Sequence, residues 1–532
     1  MKSIQRNKWT YLFFILLLLI GYAYSYQLIL FRRPFSVHQW RQCDCLSIAL
    51  NYYKEGMHFF SPTIHWSGPN GDGKTCTSEC PWLYYFVALL WKIFGYHEFI
   101  FRLVNISIAF TGLYALFCLS KNILKDGAWA LLVSLLLFSS TIFAYYAYNF
   151  LADTSALSFA FIAWFFFQKF YSGGKMRFFT ISMFFFLIAG LTKISALISF
   201  APIFLAFVLE SLNIYKFKTN EKIFSKPLHY IFQFLAVFCI IYGWTIFAIH
   251  YNNAHVGGAF STSILPIWET HSLQNYTILN QLFTEQLPVY LAPFLLIGVL
   301  LILVVLFLVY KSVSRFLLFL TCTVLMACIA YIILWFQVFY VHDYYLINLL
   351  ILVPLILLTF LDYLKKKQVE IFISVKVKVI GFIALLLSIY YCSVQINMRY
   401  SPDYPVAEYN IAMDGMHQGY WNYMDASYKQ GFQAFETITP YLRSLGIKRE
   451  DKVISIPDQS INISLYLMDQ KGYTDYGQDE SNNQMSIKKC MELGAKYLII
   501  NDTSFISKEW LSPFLTKKIG RYKNILIYDL RN

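Results

Sequence analysis

Four groups of residues in this chain are of types that could move protons or hold anions. Three of them interrupt long apolar runs. Residues 127–168 carry one charge, Asp153, and residues 178–209 carry only Lys193. Residues 316–361 carry only the pair His342-Asp343, followed by Tyr344 and Tyr345. The fourth group lies in the polar segment after the first apolar run and holds Arg41, Asp44 and Glu79. Ionisable side chains at membrane depth are costly and mark functional sites by default. If all four groups face one side of a bilayer, acids and bases converge there, as in a membrane enzyme with its chemistry at one face.

A bilayer core about 30 Å thick takes roughly 20 apolar residues per helix, so each run reads as two spans joined by a hairpin, with its charge at the turn. Spans are expected near 9–31, 99–120, 127–147, 152–168, 178–191, 194–210, 228–250, 287–310, 316–338, 344–361 and 379–398. The fold class is therefore a polytopic α-helical membrane protein of about eleven transmembrane helices. Lys121 and Lys125, the group Lys169, Lys175 and Arg177, the cluster Lys216 to Lys226, Lys311 with Arg315, and Lys365 to Lys367 all fall in alternate loops. The positive-inside rule makes those loops cytoplasmic. The same parity puts residues 32–98, the turns at Asp153, Lys193 and His342-Asp343, loop 251–286 and the tail outside. Reading 178–209 as one span would flip the later loops, so two short helices with a recessed Lys193 are expected.

Composition agrees. The 532 residues are 58% hydrophobic and only 14% charged, well below the roughly 25% charge of soluble domains. The net charge of +13 sits in short clusters between apolar runs, which suits the anionic cytoplasmic leaflet rather than nucleic acid. Lys2, Arg6 and Lys8 precede an apolar run from Trp9 to Phe31. That run is too long for a signal-peptide core and reads as an uncleaved first span. Residues 82–94 read as a helix lying on the membrane.

From Arg399 onward charges and Gly return, and residues 399–532 read as a small extracytoplasmic α/β domain beside a membrane domain over 1–398. Strands are expected at 451–458, 496–501 and 525–528, with helices at 463–470 and 486–493, in a mostly parallel sheet. No G-x-G-x-x-G is present, so no nucleotide is assigned.

The outer segments carry an ordered set of motifs: Asp44 soon after the first span, Glu79-Cys80-Pro81 with Tyr84 and Tyr85, Tyr148-Asn149 leading to Asp153, Gly190-Leu191-Thr192-Lys193, and His342-Asp343-Tyr344-Tyr345. In this order the chain resembles the C-type glycosyltransferases that use polyprenyl-phosphate sugars, in the branch of protein O-mannosyltransferases and lipid A aminoarabinose transferases. The resemblance covers roughly residues 9–360 and departs where Cys80 replaces the lysine of the aminoarabinose transferases. It implies a polyprenyl-phosphate-linked sugar donor, a hydroxyl acceptor on a lipid, glycan or protein, and inverting displacement at the anomeric carbon. Such a donor already has a good leaving group. What remains is a base for the acceptor proton and positive charge for the departing phosphate. Asp44 is the expected base, and Arg41 and Lys193 the phosphate ligands. Glu79, Asp153, His342, Asp343, Tyr344 and Tyr345 would position substrate, with Glu79 and His342 the candidates for a divalent metal ion, the one cofactor considered.

Plainer readings stand beside these. Asp44 could pair with Arg41 three residues earlier, Asp153 could be an N-cap, Lys193 could snorkel, and His342 to Tyr345 could be an ordinary interfacial helix start. His38 and His97 are read as structural. Four of the ten cysteines, Cys43, Cys45, Cys76 and Cys80, share the first outer loop. An oxidising compartment favours disulfides clamping Asp44 near Glu79 over a four-thiolate zinc site. Two rival functions remain: a lipid or glycan transporter, for which paired interrupted midplane helices are the usual sign, and a non-catalytic envelope-assembly protein. A bacterial inner membrane is the expected location, with site and tail outside.

Overall fold

The computed structural model describes all residues except 1, 76, 78, 219–220, 256–259, 261–262, 401–411, 413–414, 478–482 and 532. Each expected span has a helical counterpart, but the count differs. Five helices are long and apolar enough to cross a membrane: Glu98–Leu124, Pro227–His255, Arg315–Leu334, Asp343–Lys367 and Val375–Tyr400. Two bent pairs raise this to seven, Gly127–Phe138 with Thr141–Ala147 at 75° and Ser272–Tyr290 with Pro293–Leu308 at 93°. Eleven full spans are therefore not found among the described residues. The apolar segments at Lys8–Ala23, Met176–Thr192 and Ala201–Ser211 are shorter helices, because the chain breaks where its polar residues fall.

Those breaks coincide with the charges. The Asp153–Gly173 helix begins on Asp153. Lys193 is extended (φ −158°, ψ 122°) between the Met176–Thr192 helix and a 3-10 turn at Ile194–Ser199. His342 is extended between 3-10 turns at Phe336–Tyr340 and Asp343–Ile351. The two-helix reading of 178–209 thus matches the structure.

The Glu98–Leu124 and Asp153–Gly173 helices pack unusually close. A Cβ at Gly112 would sit 2.5 Å from the Ser158 Cβ and 2.6 Å from its Cα, so only glycine allows this approach. The loop after the first apolar helix contains the helices Gln39–Glu55 and Trp82–Phe94. The second buries Leu83, Tyr84, Val87 and Trp91 and leaves Phe86, Leu89, Ile93 and Phe94 exposed. Bare aromatic and aliphatic side chains on one helix face suit lipid contact.

The tail forms a five-stranded sheet: β1 Lys452–Ile456, β2 Gly472–Tyr473, β3 Ala495–Ile500, β4 Lys518–Tyr522 and β5 Ile525–Asp529, in the order β2-β1-β3-β5-β4. Helices at Ile463–Leu467 and Asn483–Glu492 fall where expected. The sheet is mixed rather than mostly parallel: β1 is parallel to β2 and β3, but β5 is antiparallel to both β3 and β4. Only Lys523 and Asn524 separate β4 from β5, and a two-residue turn joins antiparallel neighbours only. At the sheet edge Gly472 exchanges backbone hydrogen bonds with the loop after the first apolar helix, donating to His65 O (3.1 Å) and accepting from Ser67 N (2.6 Å). A side chain there would strike the Val453 carbonyl.

Candidate active site

The Gln39–Glu55 helix follows a tight turn. Ser36 and His38 adopt positive φ (70° and 52°), and fully buried Gln42 donates to Phe35 O and Val37 O at 2.8 and 2.9 Å. This fixes Arg41 on the first turn of the helix, facing the segment before the Trp82–Phe94 helix. There Cys80 N donates to Leu191 O (2.9 Å) and the Trp82 indole donates to Thr192 Oγ1 (3.0 Å). The two bonds fasten Glu79 beside Lys193.

A chain of alternating charges results. Arg41 Nη2 lies 2.7 Å from Glu79 Oε1 and 2.8 Å from Oε2. Lys193 Nζ lies 2.9 Å from Glu79 Oε1 and 3.3 Å from Asp153 Oδ1. Burial works to raise the Glu79 pKa, but Arg41 and Lys193 overcome it and hold the carboxyl well below the usual range. The Tyr344 and Tyr345 rings lie 5.5 and 5.0 Å from Lys193 Nζ. Arg41 Nη1 is buried with no hydrogen-bond partner, a spare donor in the site.

A second cluster adjoins the first. His38 Nε2 is 3.1 Å from Asp343 Oδ1, to which the Tyr146 hydroxyl also donates at 2.5 Å. The His38 ring packs edge-on against Tyr344 with centroids 4.9 Å apart. His38 therefore lies beside the expected site residues, whereas His97 accepts the Trp91 indole proton (2.8 Å) and Ile100 N (3.1 Å) on its carbonyl and stacks its ring on Phe99. Sequence reasoning also missed Tyr146, Asn105 and Asn348. Asn105 bonds Asn149 O (2.8 Å) and Leu151 O (3.0 Å) and so shapes the turn before Asp153. Asn348 bonds Ser195 Oγ (2.9 Å) and ties the Tyr344 turn to the Lys193 turn.

Asp44, one helical turn beyond Arg41, is buried, and its Oδ1 has no hydrogen-bond partner. Burial pushes its carboxyl up to about 7, with Arg41 opposing, Glu79 adding and the Asn462 amide opposing. Arg41 forks onto Glu79 instead of pairing with Asp44. Asn462 belongs to the tail and precedes the Ile463–Leu467 helix. Its segment is organised by Asp458, whose carboxylate accepts Ser460 N (3.0 Å) and Ser464 N (2.9 Å). Tyr476 packs against Trp40 and Trp66 with centroids 5.2 and 5.7 Å apart. The tail thus closes over Asp44. It is anchored by Arg449, which binds Asp469 (2.8 Å), Glu55 and Asn51, and by Lys471 on Glu55 (2.8 Å).

The expected disulfide clamp is corrected. Cys43, Cys45 and Cys80 are free, buried thiols, and Cys76 lies outside the described residues. Cys45 Sγ faces the Tyr84 hydroxyl at 3.3 Å. Cys80 packs apart from it, among Trp244 and Ala248. The Arg41–Glu79 pair joins the two halves of the loop instead. Nor do the residues suit a metal: no group of three or more His, Cys, Asp or Glu is so placed among the described residues. Both Glu79 oxygens face cations, and His342 packs on His38 with centroids 5.3 Å apart.

A bundle of apolar helices with charged breaks gathered under a small sheet domain is the fold this chain shares with solved membrane glycosyltransferase structures. Residues 78–247, about a third of the chain, match the family described as dolichyl-phosphate-mannose-protein mannosyltransferase. The chain is similar to ArnT from Cupriavidus metallidurans in the apo state, at 12% identity and TM-score 0.58, over 99% of this chain and 98% of that one. ArnT bound to undecaprenyl phosphate is similar at 11% identity and TM-score 0.57, with the same coverage. No curated protein matches the chain in sequence.

Proposed function

We propose that this protein transfers one sugar from a polyprenyl-phosphate carrier to a hydroxyl acceptor at the outer membrane face, with inversion. The observation that carries the reading is the meeting of Arg41, Glu79, Lys193 and Asp153, from four separate elements, beside a buried carboxyl whose pKa is raised to about 7. A base works best when its pKa lies near the working pH. The matched family segment and an ArnT relative that binds undecaprenyl phosphate support the donor class.

In this reaction the acceptor oxygen attacks the anomeric carbon opposite the phosphate, and its proton passes to Asp44. The bond between that carbon and the phosphate oxygen breaks, and its electron pair leaves with the phosphate. The phosphate gains one negative charge as Asp44 loses one, so the net charge of the site is unchanged. Arg41, through its spare Nη1, and Lys193 hold the growing charge. Glu79 and Asp153 keep the two cations in place. The His38–Asp343–Tyr146 cluster and the paired tyrosines orient the sugar. The tail covers the site and excludes water.

The test is turnover of a radiolabelled polyprenyl-phosphate sugar by purified protein. An Asp44→Asn variant that binds the carrier but transfers nothing supports the assignment. Unchanged transfer removes Asp44 as the base.

A further inference from the structure

A separate cavity lies at the opposite end of the helical bundle. It has a volume of about 380 Å³ and is enclosed by the ends of four helices, Glu98–Leu124, Asp153–Gly173, Arg315–Leu334 and Asp343–Lys367. This is the face that carries the basic connecting loops. The cavity interior is apolar, with Phe167, Leu320 and Leu358 among its walls. Its volume falls in the range of about 300–1,000 Å³ found for ligand pockets.

The rim has a different chemistry. Lys125 is exposed in a left-handed turn (φ 60°) and has no ion-pair partner among the described residues. Lys366 is held 2.7 Å from Asp362, and Lys365 donates to Ile123 O at 2.8 Å. The two lysines that line the cavity, Lys125 and Lys366, against the one carboxylate of Asp362 leave the rim positive. The wall also contains Trp164, 7% exposed, whose indole N–H is buried and has no hydrogen-bond partner. A buried donor left unpaired is costly unless something accepts from it.

We propose that this cavity binds one anionic phospholipid of the adjoining leaflet. An acyl chain fills the apolar interior, the headgroup phosphate meets Lys125, and a lipid oxygen accepts the Trp164 proton. Complementarity between an anionic amphiphile and an apolar cavity with a cationic rim selects this occupant. The site depends on the protein lying in a bilayer and not on its reaction, so it stands or falls apart from the glycosyl-transfer reading.

Native mass spectrometry of the delipidated full chain in detergent tests it, with phosphatidylglycerol and phosphatidylcholine of identical chains, and glycerol phosphate as the chainless control. Wild-type protein is expected to retain one phosphatidylglycerol and to bind phosphatidylcholine and glycerol phosphate far more weakly. Lys125→Asn keeps a residue that tolerates the left-handed turn and should weaken phosphatidylglycerol binding about fivefold, the share of one cation near an anionic surface. Trp164→Phe should weaken it as well while leaving the preference for the anionic lipid. Equal binding of both phospholipids, or Lys125→Asn binding as wild type, overturns the proposal. So does glycerol phosphate binding as tightly as the lipid, which would make the site one for a free phosphate.

Discussion

Arg41 places a single guanidinium nitrogen within 2.8 Å of both carboxylate oxygens of Glu79, across 38 residues of sequence. The carboxylate is thereby held by both Arg41 and Lys193, which share its Oε1. Glu79→Gln keeps the shape and removes the charge. It leaves two buried cations with only Asp153 between them, and breaking such a buried pair costs about 3–5 kcal/mol. The expected result is a large drop in thermal stability together with weaker donor binding, read by unfolding in detergent and by carrier titration. A variant as stable as wild type would show that Glu79 does not hold the two cations.

Asp44 links activity and stability to pH with opposite signs. In the proposed reaction its base form is the active one, so transfer should fall about tenfold per pH unit below about 7. Its folded pKa lies above the ordinary 3.8, so the folded chain binds the extra proton between those values. Stability therefore declines as pH rises from about 4 to about 7, by on the order of 4 kcal/mol for that shift. Asp44→Asn should abolish transfer yet raise the unfolding temperature at pH 8, with little change at pH 4. Equal unfolding temperatures at pH 8 would mean the carboxyl is not strained by burial.

Arg449, held by Asp469 within the tail, joins it to the Gln39–Glu55 helix through Glu55 and Asn51. Arg449→Met removes one partner from each of two partly exposed carboxylates, which keep Lys471 and Lys54, so the loss is about 1 kcal/mol. The tail should then be cleaved faster in limited proteolysis, while the membrane helices remain protected. Unchanged cleavage would place the anchoring elsewhere.

Cys45 and Cys80 are thiols whose pKa burial pushes up to about 12. In the folded protein at neutral pH neither should react with a maleimide, because the thiolate is the nucleophile. Both should react on denaturation without any reductant. Labelling that needs reduction first would mean that a disulfide does form.

Much of the architecture is written locally. The length of the apolar runs gives the helices, and a lone Asp153, Lys193 or His342 within a run gives its break, because a helix in lipid ends most cheaply where a polar group can reach water. The tail helices and three of its strands follow from short-range pattern in the same way. Strand β4 and the edge strand β2 do not, since Lys518–Tyr522 is half-exposed and β2 is only two residues long.

Residue types and their order along the chain were enough to single out Asp44, Arg41, Glu79, Asp153, Lys193 and the His342 to Tyr345 segment, because ionisable groups in so apolar a chain are few. Their partnerships were not encoded there. Arg41 meets Glu79 rather than Asp44, Lys193 reaches Glu79 across 114 residues, and His38 finds Asp343 across 305. Asn462, more than 400 residues from Asp44, comes to lie beside it only when the tail docks. Pairings of that kind leave no periodicity. Burial and neighbouring charge set each carboxyl's proton affinity, and both exist only once distant segments have packed.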